Sequence, residues 1–252
     1  MSSTLWKGHL SFGLISIPIK VHTSASPNKF STNYLNPDTM SRVKQCWMDA
    51  TTNELVNHKN LKKGYEHAPG QWILLDDTDL KSITLPSSKV IQLDRFVKAS
   101  EISQEMIEKT YYLAPDVAGA KAYKLLSKAL QKEKAVGIGS MTRLGREHIV
   151  AITNSSQGFL TLSTLFYESE IRAFESDLGP ENPSKDEIEL GRMLVKRSMG
   201  TLDLSSYKDE YHENMHKLIK AKTAGQSFAM PEVTETGASQ VDLLAQLKAS
   251  LK

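Results

Sequence analysis

Residues 6–21 read WKGHLSFGLISIPIKV, from Trp6 to Val21. Leu10, Phe12 and Leu14 alternate with His9, Ser11 and Gly13, and Ile15, Ile17, Ile19 and Val21 then alternate with Ser16, Pro18 and Lys20. A period of two marks a strand with one buried face. The apolar phase slips by one residue near Leu14 and Ile15, which requires a strand carrying a bulge or two short strands. Pro18 has no N–H to give to a ladder, so an edge or a bulge is its expected place.

Working outward, residues 22–62 lose this periodicity and fill with Ser, Thr, Asn and Pro. They read as an excursion from the core, with a hairpin expected around 41–48. Residues 71–75 (QWILL) form a strand, and Asp76, Asp77 and Thr78 open a short turn or helix. Residues 89–97 (KVIQLDRFV) alternate again, with Ile91, Leu93, Arg95 and Val97 on one phase and Val90, Gln92, Asp94 and Phe96 on the other. Tyr111, Tyr112 and Leu113 make a short strand before Pro115. Residues 118–133 predict a helix, with Tyr123, Leu126 and Leu130 on one face. Strands follow at 136–142, 148–153 and 159–166, joined by Gly-containing turns. The fold class to this point is mainly β with one helix, a barrel or a sandwich. After Pro183 the pattern turns helical. Ser184 with Glu187 is a capping box, and Ser206 with Asp209 resembles a second, opening a helix that ends before Gly225. Residues 226–238 read as a polar linker before a short amphipathic helix over 241–251.

The chain has 252 residues, 40% hydrophobic and 24% charged, enough to bury a core and inconsistent with a disordered tail. Its net charge is only +2, yet the charge is polarised. Residues 1–75 hold eight basic against four acidic residues (net +4), residues 121–150 seven against two (+5), and residues 168–189 two against eight (−6). Both basic segments fall in the β-rich half, which points to an anionic partner there. The single cysteine, Cys46, excludes an intramolecular disulfide framework and a multi-cysteine zinc ribbon, and its expected role is a buried small hydrophobe. No signal peptide is legible in residues 1–22, and no apolar run approaches the ~20 residues of a membrane span. A soluble, cytoplasmic protein is expected.

One motif invites a different reading. His212-Glu213-Asn214-Met215-His216 is an H-E-x-x-H, the pattern of a zinc peptidase with Glu213 as base and Glu235 as a possible third ligand. Its neighbours Lys208, Asp209, Glu210, Lys217 and Lys220 instead describe a solvated helix face. Lys62-Lys63-Gly64 and Arg143-Leu144-Gly145-Arg146 each place two cations beside a glycine, either as idle turns or as phosphate contacts.

Taken in order, these residues resemble the prokaryotic Ku proteins. Trp6-Lys7-Gly8, Phe12-Gly13-Leu14-Ile15 and Ile17-Pro18-Ile19 are similar to the family's opening motif. Lys63-Gly64-Tyr65-Glu66, Tyr111-Tyr112-Leu113-Ala114-Pro115-Asp116, Arg143 with Gly145-Arg146-Glu147, and Glu170-Ile171-Arg172 continue it. Tyr207, Asp209 and Tyr211, then Asp242-Leu243-Leu244 and Leu247-Lys248-Ala249-Ser250-Leu251, follow in the later part. His22 departs from the common aromatic, residues 27–55 match poorly, and the Lys-rich extension of many bacterial members does not follow Leu251.

The resemblance implies a Ku-type β-barrel with an inserted bridge and a C-terminal helical arm. It places a DNA-binding core over 1–182 with its bridge at about 22–62, a dimerising arm over 183–225, and a linker with a terminal helix over 226–252. It implies a ring-shaped homodimer that binds double-stranded DNA ends irrespective of sequence in non-homologous end joining. The protein would recruit and stimulate an ATP-dependent DNA ligase, and would be no enzyme, with no cofactor and no metal, close to the nucleoid. Arg42, Lys44, Lys59, Lys62, Lys63, Arg143 and Arg146 are the expected DNA contacts, followed by Lys20, Lys29 and Lys124. Leu194, Tyr207, Tyr211, Met215 and Leu218 are expected at the dimer contact, and Leu243, Leu244, Leu247 and Leu251 at the ligase. A Ku-fold scaffold that binds proteins and holds DNA weakly is the other form this reading takes.

Overall fold

The phase slip in the opening stretch is a turn. In a computed structural model, which describes residues 4–86, 88–155, 157–174 and 182–228, β1 (Thr4–Phe12) and β2 (Ile15–Thr23) form an antiparallel hairpin closed by the pair Phe12–Ile15. Gly13 has φ +54°, so the two-residue link is of the II′ kind, whose twist matches the flanking strands. Leu14 is left at the tip, fully exposed, while Leu10, Ile17, Ile19 and Val21 are buried. Pro18 is not on an outer edge, because β2 has a partner on each side. The N–H of its partner His9 donates to Lys89, away from β2, so the proline nitrogen faces the other flank, where the neighbouring strand ends at Pro115.

Three further hairpins and a helix follow before the barrel resumes. These are β3 (Leu35–Asn36) with β4 (Ser41–Arg42), β5 (Trp47–Met48) with β6 (Leu55–Val56), β7 (Lys63–Ala68) with β8 (Gln71–Leu75), and α1 (Asp77–Ile83). The expected hairpin at 41–48 is thus two separate ones, and the stretch outside the barrel sheet runs on past 62 to α1. Next come β9 (Val90–Lys98), β10 (Ile107–Pro115), α2 (Ala120–Glu133), β11 (Ala135–Arg143), β12 (Arg146–Asn154) and β13 (Leu160–Leu165). Seven strands close a barrel in the order β1-β2-β10-β13-β12-β11-β9. Every pair is antiparallel except the closing one, β1 with β9, where His9, Leu10 and Ser11 run beside Val90, Ile91 and Gln92. Closure leaves the sheet no free edge.

The core joins inward residues of the barrel strands to the buried face of α2, namely Tyr123, Leu126 and Leu130. Tyr123 ties α2 to two strands at once. Its hydroxyl donates to the Leu113 carbonyl at 2.6 Å and accepts from the Leu160 N–H at 2.7 Å, and burial pushes its pKa up. A bulge at Asp94 corrects the expected single alternation of β9, since Arg95 pairs with Ile138 but Leu93 with Gly139. Ile91 and Leu93 are core, and beyond the bulge Phe96 meets Phe12 edge to face at 6.0 Å while Val97 joins the opposite side. Gly139 permits the bulge, because a Cβ there would stand 1.8 Å from the Gln92 carbonyl oxygen. On that opposite side Val136, Ala151 and Leu165 form a second buried cluster with Ile102, Met106 and Ile107, so β13 is buried along its whole length.

A separate compact unit begins at Phe174. It contains α3 (Lys185–Ser198), opened by the expected Ser184–Glu187 capping box, and α4 (Glu210–Thr223). Ser206 does not cap α4. It closes a tight turn by donating to the Asp203 carbonyl, and the Asp209 side chain accepts from the His212 N–H instead. Neither helix buries a residue.

Candidate nucleic-acid interface

Six of the ten expected DNA contacts lie in one stretch of chain. Lys29, Arg42, Lys44, Lys59, Lys62 and Lys63 fall between β2 and β8, and all are exposed. No described residue from 24 to 86 is buried. Short polar side chains hold its shape. Asp49 accepts from the N–H groups of Thr51 and Thr52 at 2.8 and 2.9 Å, Asn57 from Lys59, Glu66 from Gly70, and Asp76 from Thr78 and Asp79. These bonds satisfy backbone donors where no sheet does. They also hold the carboxyls of Asp49 and Asp76 below the ordinary range, through the N–H of Thr52 and of Asp79 respectively, with the nearby Lys62 charge adding to the second.

The consequence is a division of labour between charges. The carboxylates of Asp49, Glu66, Asp76 and Asp79 are occupied by the backbone, while among the described residues Arg42, Lys44, Lys59 and Lys63 enter no ion pair. A flexible cation in that state can meet a phosphate without first leaving a carboxylate. Trp47 and Trp72 are also exposed, the former beside His58 with ring centroids 6.3 Å apart. Cys46 is exposed in the same stretch, contrary to the expected burial, because no core exists there to receive it.

The remaining four expected contacts are placed differently. Lys20 pairs with Asp116 at 3.4 Å and Arg146 with Glu170 at 2.8 Å. The Glu170 carboxyl is held low first by the Tyr167 N–H and then by Arg146. Arg143 and Arg146 flank the tight link Leu144-Gly145, with φ of +53° and +78°. Arg143 lines a small cavity of about 100 Å³ with Trp6, Glu108, Tyr111, His148 and Thr164. Lys124 is exposed on α2. Sequence reasoning passed over Lys121, Lys128 and Lys132 on the same helix, although their spacing at four- and seven-residue steps was a legible signal for one row.

His212 and His216 stack edge to face on α4 with centroids 4.9 Å apart. Among the described residues no three His, Cys, Asp or Glu are placed to hold a metal ion, and Glu235 lies outside them. Tyr207 and Tyr211 are exposed, and Leu194, Met215 and Leu218 are half-buried. Leu243, Leu244, Leu247 and Leu251 lie outside the described residues. No helix among the described residues is long and apolar enough to cross a membrane.

Comparison with known proteins agrees with this architecture. A family model described as the Ku70/Ku80 beta-barrel domain matches residues 11–190. A protein of Desulfitobacterium hafniense named Non-homologous end joining protein Ku is 32% identical over 248 residues, covering 98% of this chain and 87% of the relative. Proteins of the same name from Archaeoglobus fulgidus and Solibacter usitatus are each 32% identical, covering 98% and 100% of this chain and 97% and 94% of the relatives.

Proposed function

This chain belongs to the Ku family of non-homologous end joining, and from that premise we propose that it binds double-stranded DNA ends as a ring-shaped homodimer. The observation that carries the reading is the 24–86 stretch, which leaves a closed barrel, buries nothing and exposes unpaired cations. Each phosphate met by a lysine or arginine releases condensed counterions, so binding is strong, blind to sequence and sensitive to salt. The bridge is the segment expected at 22–62, starting only after Thr23 because β2 keeps His22 and Thr23 in the barrel, with β7 and β8 as its continuation. Arg42, Lys44, Lys59, Lys62 and Lys63 contribute first. Arg143, Arg146 and Lys20 contribute less, since Arg146 and Lys20 must exchange a carboxylate for a phosphate.

The arm over 183–225 joins two copies through Leu194, Tyr207, Tyr211, Met215 and Leu218. No side chain of α3 or α4 is buried within one chain, which supports a self-complementary contact there. The terminal leucines, Leu243 to Leu251, dock an ATP-dependent DNA ligase. The protein acts as an end-binding scaffold rather than as a catalyst.

Gel-shift titration of linear against closed-circular duplex of equal length tests the ring. Capture of the linear form alone is expected, with affinity falling roughly 10³–10⁵-fold between 50 and 200 mM salt if ~6–10 phosphates are neutralised. Equal binding of both forms defeats the ring. Deleting residues 226–252 is expected to spare end binding and abolish ligase stimulation.

A further inference from the structure

An open apolar groove of about 530 Å³ lies between α2 and the β1–β2 hairpin, with no lining residue from the 24–86 stretch. Phe12, Leu126 and Ala135 are in its lining, and Ile15, Phe96 and Leu125 stand 40%, 47% and 65% exposed along it. Glu133 is the single ionisable residue of that lining. Leu126 is core, so the floor of the groove is continuous with the barrel interior. Scattered exposed apolar side chains need no explanation, but three sharing one concavity over a rigid floor make a docking surface.

The bank of this groove is charged. Lys121, Lys128 and Lys132 sit four residues before, three after and seven after Leu125, and all are exposed. On a helix those offsets set them in a row beside Leu125. An apolar trench with a lysine row on one side has the complement of an amphipathic helix flanked by carboxylates. Duplex DNA would use the lysines but not the trench, since its interfaces are polar and wet. Two copies meeting groove to groove would set lysine row against lysine row.

We propose that this groove docks an acidic amphipathic helix of a partner protein, its apolar residues in the trench and its carboxylates against Lys121, Lys128 and Lys132. The probes are two fluorescein-labelled synthetic helices with identical leucines at helical spacing, one flanked by Glu and the other by Lys. Anisotropy titration of the full chain is expected to show the acidic helix binding at least about tenfold more tightly. Leu125→Asp is expected to weaken it by a similar factor, and the combined Lys121→Glu, Lys128→Glu and Lys132→Glu variant to reverse the preference. Leu125→Ala, with its thermal transition unchanged, separates weakened docking from misfolding. Equal binding of the two helices, or a preference unmoved by the charge reversal, overturns the proposal. A Leu125→Asp protein that sediments as a smaller species also overturns it, because a second copy then fills the groove. So does a charge reversal that abolishes duplex binding while leaving peptide selectivity intact.

Discussion

The barrel, antiparallel at every pair but β1–β9, and the antiparallel hairpins of the 24–86 stretch differ in what holds their strands in place. The barrel strands enclose side chains such as Leu10, Ile91, Ile152 and Leu160, all fully buried. The hairpins of the stretch have short ladders and no buried side chain; Asp49 and Glu66 hold two of their turns, and Asn57 and Asp76 cap the helical turns that follow β6 and β8. A core fixes geometry by excluding every other packing. Turn chemistry fixes only the local path of the chain and leaves side chains free to face a partner.

The hardest test of this contrast removes bulk from both regions. Leu160→Ala is expected to cost about 2–5 kcal/mol of stability, while Leu55→Ala stays within about 0.5 kcal/mol. Thermal or denaturant unfolding reads both, and equal losses would mean that the stretch has a core of its own. Next in size is Tyr123→Phe, which orphans the Leu113 carbonyl and the Leu160 N–H inside the barrel, for about 1–3 kcal/mol. An unchanged transition would show that the hydroxyl ties nothing together. Replacing Lys59, Lys62 and Lys63 together by Ala should leave unfolding alone and flatten the salt dependence of DNA binding, by about one slope unit for every phosphate no longer met by a cation. If Arg143→Ala with Arg146→Ala flattens it more, the barrel rather than the stretch carries the DNA.

The smallest effect is acid sensitivity. The carboxyls of Asp49, Asp76, Asp116 and Glu170 are held low in the folded protein, chiefly by backbone N–H groups. The unfolded chain takes up protons first as pH falls, so their contribution is present at neutral pH and is lost below about pH 4. Denaturant titrations at stepped pH should place the loss there, and a loss centred near neutrality would assign it to histidines.

Where burial imposes a period, the sequence was readable. Tyr123, Leu126 and Leu130 marked the inner face of α2, while the slip at Leu14 left a bulged strand and two strands both open, and the turn at Gly13-Leu14 decides for two. The Asp94 bulge was hidden, because β9 is apolar on both faces near Leu93, Phe96 and Val97, and a phase change there leaves no trace. In the stretch only β8 was legible, from its apolar run 71–75, and the other hairpin strands were not, since nothing in them is buried and no period arises. The site followed the same rule. Basic candidates could be chosen by type alone, but the ion pairs of Lys20 and Arg146 depend on Asp116 and Glu170, which only the folded chain brings near.

The closing pair of the barrel has a further consequence. The excursion leaves the barrel at Thr23 on β2 and returns at Val90 on β9, the two strands that flank β1, so it is a loop with both ends pinned by the barrel. Loop-closure entropy grows only with the logarithm of length, and doubling such a loop costs about 0.6 kcal/mol. Lengthening or shortening the excursion is therefore expected to cost the barrel little. Sealing the barrel waits on contacts between distant parts of the chain, β1 with β9 and β2 with β10, which are slow to form.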